Sequence, residues 1–117
     1  MIKNYTVIDV ETPNGQNDKL CSIACINVKN GKIEKEFYSI VNPESNFRQI
    51  NTKIHGISQK DVLNSPTFPV IWDQIHSFFE KTCIVAHNAN FDLSVICKTL
   101  EFYSIPIPKI NFIDTQS

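Results

Sequence analysis

Tyr5-Thr6-Val7-Ile8-Asp9-Val10-Glu11-Thr12 is the stretch of the sequence that decides the fold. Its β-branched residues predict a strand over Tyr5–Val10, and the turn formers of residues 13–18 predict a loop directly after it. Side chains alternate along a strand, so Asp9 and Glu11 share one face. The sequence therefore predicts a strand that carries two acids to one edge of a sheet.

Two further strands follow, at Leu20–Val28 and Ile33–Val41. They are joined by Lys29-Asn30-Gly31-Lys32, and Asn-Gly is a strong signal for a type I′ hairpin. The charges at residues 32 and 34–36 are expected of an edge strand that must not pair with another chain. The first three strands should form an antiparallel meander with the third strand outermost.

After residue 42 the hydrophobic period changes from two to about 3.6, which indicates helices. Residues Ser58 to Asp61 resemble a capping box, which would open a short helix that Pro66 ends. Thr67 is expected to cap a second helix. The apolar face of that helix comprises Ile71, Ile75, Phe78 and Phe79.

The last third of the sequence adds two strands and a helix. Cys83–Ala86 is a short apolar run suited to a buried parallel strand. A helix with apolar residues at helical spacing from Leu93 to Tyr103 should follow, and then a fifth strand at Ile110–Ile113. The order predicts an α/β fold: a mixed five-stranded sheet, three strands antiparallel and two parallel, with flanking helices.

The chain is expected to form one domain over residues 1–117, incomplete at its C-terminus, because the fifth strand is the last element of the sequence. A helix that should cover the sheet there would then be missing. We expect one uncovered sheet face, which could support a homodimer.

Composition narrows the classes of function. The formal net charge is -1 and the pI about 6.3, so the chain has no overall positive field for tight binding along duplex nucleic acid. No run approaches the roughly 18 apolar residues of a membrane span, and the first residues do not resemble a signal peptide. We expect a cytoplasmic protein with no membrane partner.

The cysteines at positions 21, 25, 83 and 97 lie in apolar surroundings without a C-x-x-C pair. They are expected to be reduced core residues. A zinc site of Cys21, Cys25 and a histidine is a weaker alternative.

Asp9 and Glu11 lie about 6.6 Å apart by the rise of a strand, and two such acids can hold two cations roughly 4 Å apart. Taken alone, this pair is more often the polar side of a half-solvated strand. Asp92 ends a second acidic segment that follows a buried strand and opens a helix, whose dipole should keep the carboxylate ionised. Asp92 could also be an ordinary acid at a helix start. Ligands bind at the carboxyl ends of such strands, so the two segments together favour a metal site.

Five segments, in order, resemble the motifs of the DEDD superfamily of 3′–5′ exonucleases. The similarity is to the group with the bacterial replicase proofreading (epsilon) subunit and ribonuclease T. The segments are Asp9-Val10-Glu11-Thr12, Ile54-His55-Gly56-Ile57, Ser65-Pro66-Thr67-Phe68, Val85-Ala86-His87-Asn88-Ala89-Asn90-Phe91-Asp92 and Ile113-Asp114-Thr115.

This resemblance implies a ribonuclease H-like fold and two-metal-ion hydrolysis that releases nucleotides from the 3′ end of single-stranded DNA or RNA. A DNA polymerase subunit is a possible partner. The catalytic metal ligands implied are Asp9, Glu11 and Asp92, with Mg²⁺ or Mn²⁺ as the two ions. The residues implied to bind the terminal nucleotide are Thr12, Ile54, His55 and Phe91.

The histidines and Asp114 have other interpretations. His55 could instead fill a helical turn before Gly56. His87 is expected to orient the Asp92 loop by hydrogen bonding, and His76 to be a surface residue. The resemblance leaves Asp114 outside the metal set.

The sequence departs from the family pattern at its end. The family completes its site with a later helix that supplies a histidine general base and, five residues on, a fourth aspartate. Loss of a general base costs about a hundredfold or more in rate. We therefore expect the 117-residue chain to be weakly active or inactive. The alternative is a non-catalytic module with an exonuclease fold that binds nucleic acid or nucleotides.

Overall fold

A single five-stranded sheet forms the centre of the protein in the computed structural model, which describes residues 3–115. Its strands are β1 (Asn4–Glu11), β2 (Ser22–Lys29), β3 (Lys32–Ile40), β4 (Cys83–Ala86) and β5 (Asn111–Asp114), in the order β3-β2-β1-β4-β5. β1, β2 and β3 pair antiparallel, whereas β4 runs parallel to β1 and β5 parallel to β4. The predicted mixed sheet is confirmed.

Local sequence signals determine the strand boundaries and turns. Four strands, β1, β2, β3 and β5, begin and end within two residues of their predicted positions, and β4 matches its prediction. Asn30 and Gly31 have φ values of 53° and 80°, which a type I′ turn requires. β3 lies at the sheet edge with its charged residues exposed, as expected.

Four α-helices connect the strands: α1 (Gln49–His55), α2 (Gln59–Val62), α3 (Phe68–Ile75) and α4 (Ala89–Phe102). The expected capping box opens α2, since the Asp61 carboxylate accepts hydrogen bonds from the backbone and the hydroxyl of Ser58, at 2.9 and 3.0 Å. Thr67 is the N-cap of α3, as expected.

Two helical predictions are corrected. The helix after Thr67 was expected to continue through Phe79, but it ends at Ile75 and residues His76–Phe79 form a 3₁₀ turn. The tighter turn still buries both phenylalanines of the predicted apolar face. The second correction is α1, a seven-residue helix that the hydrophobic pattern does not predict, because none of its residues, all described, is buried.

The core lies on one face of the sheet. Thr6, Ile8 and Val10 of β1 are buried there, with α4 lying against β1, β4 and β5 and the 3₁₀ turn lying against β2. On the opposite face, cross-strand pairing aligns one apolar row across four strands: Ile26, Val7, Val85 and Ile113. Val7 and Ile113 are exposed and the other two are half-buried, so this row is partly open to solvent.

The cysteines are free, with Cys21 and Cys25 buried and the other two half-buried. Burial raises the pKa of each buried thiol to about 12, which keeps both protonated. Within residues 3–115 no three His, Cys, Asp or Glu side chains form a metal-holding group, so the zinc alternative has no support. Over the same residues, no helix has the length and apolar character needed to cross a bilayer.

Thr6 provides a test of how the core holds β1. Its hydroxyl is fully buried, donates to the Phe78 carbonyl at 2.9 Å and accepts from Asn27 Nδ2 at 3.1 Å. Thr6→Val removes the donor to the Phe78 carbonyl, whereas Asn27 Nδ2 keeps its bonds to Asn4 Oδ1 and the Tyr5 carbonyl. Because the buried carbonyl loses this donor, we expect the free energy of unfolding to fall by about 1–3 kcal/mol. Urea denaturation measures the change. Thr52→Val, on the surface of α1, should change it by no more than about 0.5 kcal/mol, and an equal loss in both variants would contradict the prediction.

The homodimer expected through the uncovered face stays a prediction. Val7 lies in the middle of the apolar row, so Val7→Glu is expected to shift a dimer towards monomer, because a carboxylate would be desolvated there. Sedimentation equilibrium measures the mass. Ile50→Glu, on α1, is the control, and a wild-type chain that is monomeric at high concentration would contradict the prediction.

Candidate active site

Two acids end the central strand on its open face. Asp9 is exposed and Glu11 is half-buried, while their neighbour Val10 points into the core. Pairing places Asp9 opposite Ala24 and Glu11 opposite Ser22 of β2, so small side chains flank both carboxylates on that side.

Asp92 reaches the same edge from the neighbouring strand. β4 ends at Ala86, and α4 begins at Ala89 with Asn88 as its N-cap, so Asp92 lies in the first turn of the helix. Its side chain is almost completely buried, with 6% of the residue exposed, and it accepts a hydrogen bond from the backbone N–H of Val10. The helix start thus places the carboxylate against the end of β1.

The three acids interact electrostatically. Burial first, and then the charges of Asp9 and Glu11, raise the pKa of Asp92 to about 6 against the opposing effects of the Val10 N–H and His87. Burial and Asp9 also raise the pKa of Glu11, while His55 lowers it. Asp92 was expected to stay ionised at the helix start; with a pKa of about 6 the carboxylate is still mostly ionised at pH 7, although burial and the neighbouring acids bring it closer to protonation.

The donor chemistry suits a hard divalent cation, since carboxylate oxygens are the ligands that Mg²⁺ and Mn²⁺ prefer. The two ion pairs found within residues 3–115 are Lys19–Asp18 and His76–Glu80, so no lysine or arginine neutralises the three acids there. The side chains do not converge into a closed metal-binding group in the described part of the chain. The chemical type and the charge of the three side chains suit a metal ion, but the side chains are not already arranged around one position.

Thr12, the residue that follows Glu11, is held in place by hydrogen bonds from α1. The Thr12 carbonyl is 2.9 Å from His55 Nε2 and accepts a hydrogen bond from Asn51 Nδ2 at 3.1 Å. His55 Nδ1 accepts the Ile57 N–H at 3.0 Å, so the proton of a neutral ring lies on Nε2 and is donated to Thr12. His55 thus fills the turn before Gly56, and it also orients the loop next to Glu11.

Asn51 is a site residue that the sequence analysis missed. Its amide contacts both the carbonyl and, at 3.3 Å, the hydroxyl of Thr12. The available signal was its position, four residues before His55 on a helix, where both side chains face the same way. Without a prediction of α1 that signal could not be read.

The two apolar residues of the predicted nucleotide site differ in exposure. Ile54 is 77% exposed on α1, so most of its side chain can contact a ligand. Phe91 is half-buried and packs against the core, which leaves part of its ring exposed beside Asp92. The exposed His87 follows β4 and acts on Asp92 through its charge. Asp114 ends β5, and Thr115 next to it donates through its backbone N–H and its hydroxyl to the Ala86 carbonyl.

Comparison with protein families and curated proteins identifies relatives of this arrangement. The family model described as Exonuclease (RNase_T) matches residues 6–117. The 3'-5' exonuclease DinG of Bacillus subtilis (strain 168) is 28% identical over 116 residues, which cover 97% of this chain and 12% of that protein. The DNA polymerase III PolC-type of Clostridium perfringens is 34% identical over 98 residues, covering 82% of this chain and 7% of the relative. The chain therefore spans a small part of these proteins.

Solved structures agree with the fold. Exonuclease X in complex with 5' overhanging duplex DNA superimposes with a TM-score of 0.72 at 29% identity, covering 95% of this chain and 59% of that one. The metal-free form of the E. coli ExoI–ssDNA complex gives a TM-score of 0.84 at 17% identity, covering 97% and 28%. At that identity the second likeness shows the fold alone, and it confirms the expected ribonuclease H-like sheet.

The raised pKa of Asp92 makes a prediction about stability. Because the folded chain holds this proton more tightly than the unfolded chain, Asp92 destabilises the metal-free fold increasingly as the pH rises from about 4 to 6, and by a constant amount above. Asp92→Asn is expected to be more stable than the wild type at pH 7.5, by about 1–3 kcal/mol, and equal to it near pH 3.5. Chemical denaturation in chelator across this range measures both.

The control is Asp73→Asn on the exposed surface of α3, for which no comparable gain is expected. Added Mn²⁺ should stabilise the wild type more than Asp92→Asn, because the variant lacks the anionic ligand. A pH-independent difference between wild type and Asp92→Asn would contradict the assignment of the raised pKa.

Proposed function

The chain belongs to the exonuclease family, and from this membership we propose that it releases nucleotides from the 3′ end of single-stranded nucleic acid by metal-assisted phosphodiester hydrolysis. The observation that supports this most is the electrostatic coupling of Asp9 and Glu11 with the buried Asp92. Such a group of acids, without ion-pair partners within residues 3–115, destabilises the fold unless a cation neutralises it. This loss of stability is explained if the acids hold divalent cations.

Asp9, Glu11 and Asp92 would hold two Mg²⁺ or Mn²⁺ ions. When bound, such ions activate a water for attack and stabilise the leaving 3′ oxygen. The exposed Asp9 and half-buried Glu11 would be the carboxylates nearest to the scissile phosphate. The role of the three side chains is to position positive charge against the phosphate, because phosphoryl transfer is catalysed mainly in this way.

The terminal nucleotide would lie between α1 and the start of α4. Thr12 is buried beside Glu11 and held by Asn51 and His55, so it would contact the nucleotide only through its small accessible part. Ile54 provides an exposed apolar surface, and the free part of the Phe91 ring provides another. Apolar and aromatic contacts tolerate any base, which agrees with removal of nucleotides irrespective of sequence.

The polymerase similarity and the substrate class lead to proposals about partners. PolC-type relatives are DNA polymerases, so we propose that this domain acts on strands produced or held by a polymerase. The solved relatives include complexes with single-stranded and with overhanging duplex DNA. In a 5′ overhanging duplex the 3′ end is recessed and paired, so only the single-stranded complex bears on the strand state of the 3′ end. We propose a single-stranded 3′ end as the substrate, whether DNA or RNA.

Asp9→Ala tests the site. We expect release of mononucleotides from a 5′-labelled single strand in Mn²⁺ to fall by about a hundredfold or more, because loss of a metal ligand removes several kcal/mol of transition-state stabilisation. Denaturing gels under enzyme excess follow the ladder of products. Calorimetry should show weaker Mn²⁺ binding in the variant.

Asp73→Ala, which removes an exposed acid from α3, is the matched control and should retain wild-type release. Undiminished release by Asp9→Ala would refute the assignment of the site. The alternative, a non-catalytic binding module, predicts that single strands bind in chelator and that no hydrolysis occurs at any enzyme concentration.

A further inference from the structure

An open cleft lies next to the loop that follows the acidic strand. It has a volume of about 340 Å³ and is lined by Asn14, Gly15, Gln16, Asn46 and Arg48. One wall is the loop after β1, and the other is the segment that enters α1. We call it the Arg48 cleft. Its lining is polar, with one cationic side chain.

The walls of the Arg48 cleft are joined by hydrogen bonds. Asn14 is buried, and its amide donates to the Asn46 carbonyl at 2.7 Å and to Ser45 Oγ at 3.0 Å. The backbone N–H of Arg48 donates to the Pro13 carbonyl at 2.8 Å. These bonds fix the cleft before any ligand arrives, so little ordering is needed on binding.

Arg48 supplies the charge of the cleft. It is the only arginine of the sequence, and both ion pairs within the described residues 3–115 involve other side chains. Gly15 leaves room for the guanidinium, because a Cβ at that position would lie 3.2 Å from Arg48 Nη1. A guanidinium presents a planar fork of donors that matches two phosphate oxygens.

The position of the cleft relates it to the acids. α1 lies along the loop after Glu11, with its last turn bound to Thr12 through His55 and its N-cap Arg48 bound to Pro13. Ile54 and Ile50 are one turn apart on the same side of α1 and are 77% and 60% exposed. Arg48 lies six residues before Ile54, about 9 Å along the helix axis. At about 3.4 Å per nucleotide of a stacked strand, this distance corresponds to two or three nucleotides.

We propose that the Arg48 cleft binds a backbone phosphate of the substrate strand, two or three nucleotides from its 3′ end. This proposal rests on the proposed function. The strand then runs along α1, with its terminal nucleotide at Thr12 and Ile54 and its next nucleotides extending towards Arg48. The contact is to a phosphate, so it adds affinity and register without sequence preference.

Arg48→Gln in the 117-residue chain tests the proposal. Fluorescence anisotropy with 5′-labelled oligothymidylates of one to six nucleotides, with chelator present to prevent hydrolysis, measures affinity. For the wild type we expect a step in affinity once the strand reaches the cleft, at three or four nucleotides. Arg48→Gln should remove this step, weakening longer strands about tenfold and leaving the mononucleotide unchanged. The slope of log K against log salt should fall by about 0.7 in magnitude.

Lys29→Gln is the matched control, because it removes one positive charge at the end of β2 that pairs with the opposite end of β1 from Glu11. Lys29→Gln should still show the step in affinity as the strand is lengthened. A hexanucleotide with one neutral methylphosphonate at the second or third linkage should bind the wild type as weakly as the unmodified hexanucleotide binds Arg48→Gln. Equal losses in Arg48→Gln and Lys29→Gln, at all lengths, would overturn the proposal in favour of general charge attraction.

Three further outcomes are decisive. If inorganic phosphate below 1 mM abolishes the step, the cleft is a site for a free anion and the assignment to a strand phosphate is wrong. If the wild-type chain neither binds nor hydrolyses any strand, the proposed function fails together with this proposal. Binding that shows no length step, with metal-dependent hydrolysis intact, overturns the Arg48 proposal alone.

Discussion

The alternation of side chains along β1 is the constraint on which the rest of the structure depends. β1 is the central strand, paired with β2 on one side and with β4 on the other. Its even-numbered residues Thr6, Ile8 and Val10 are buried in the core, so Asp9 and Glu11 necessarily point to the open face. A slip of one residue would bury both acids and expose the core residues. Stability and the site therefore share one register, and the buried hydrogen bonds of Thr6 help to fix it.

The site itself works against the stability of the fold. Asp92 is brought to the end of β1 by the helix that also packs on the sheet, and its burial there raises its pKa close to neutrality. A single backbone N–H, from Val10, compensates only part of the desolvation. A carboxylate kept in such a position without an ion pair in the described residues is more typical of a functional site than of a structural one. The assignment of Asp9, Glu11 and Asp92 as metal ligands rests on resemblance, and the raised pKa values of Asp92 and Glu11 beside Asp9 support it.

The features that sequence predicted are those with a local or periodic signal. The Asn30-Gly31 turn, the Ser58 to Asp61 capping box and the apolar run of β4 each depend on a few neighbouring residues, and each has its predicted form. Ile75 ends α3 earlier than periodicity suggested, since a 3₁₀ turn buries Phe78 and Phe79 equally well. The ionisation of Asp92 could not be predicted, because it depends on burial and on acids from another strand. The acids were found from their pattern, whereas the protonation behaviour required the three-dimensional arrangement.

α1 shows most clearly what the hydrophobic pattern misses. A helix that buries no residue has no apolar stripe directed at the core, so periodicity cannot reveal it. It is held instead by polar contacts with Thr12 and Pro13 and by Gly56, whose left-handed φ of 80° closes its last turn. Because the core does not use its isoleucines, Ile50 and Ile54 remain on the surface close to the acids. Exposed apolar residues grouped beside a charged site mark a ligand surface more often than an accident of folding. The same feature that hides α1 from sequence analysis, its independence of the core, leaves its side chains available for a ligand.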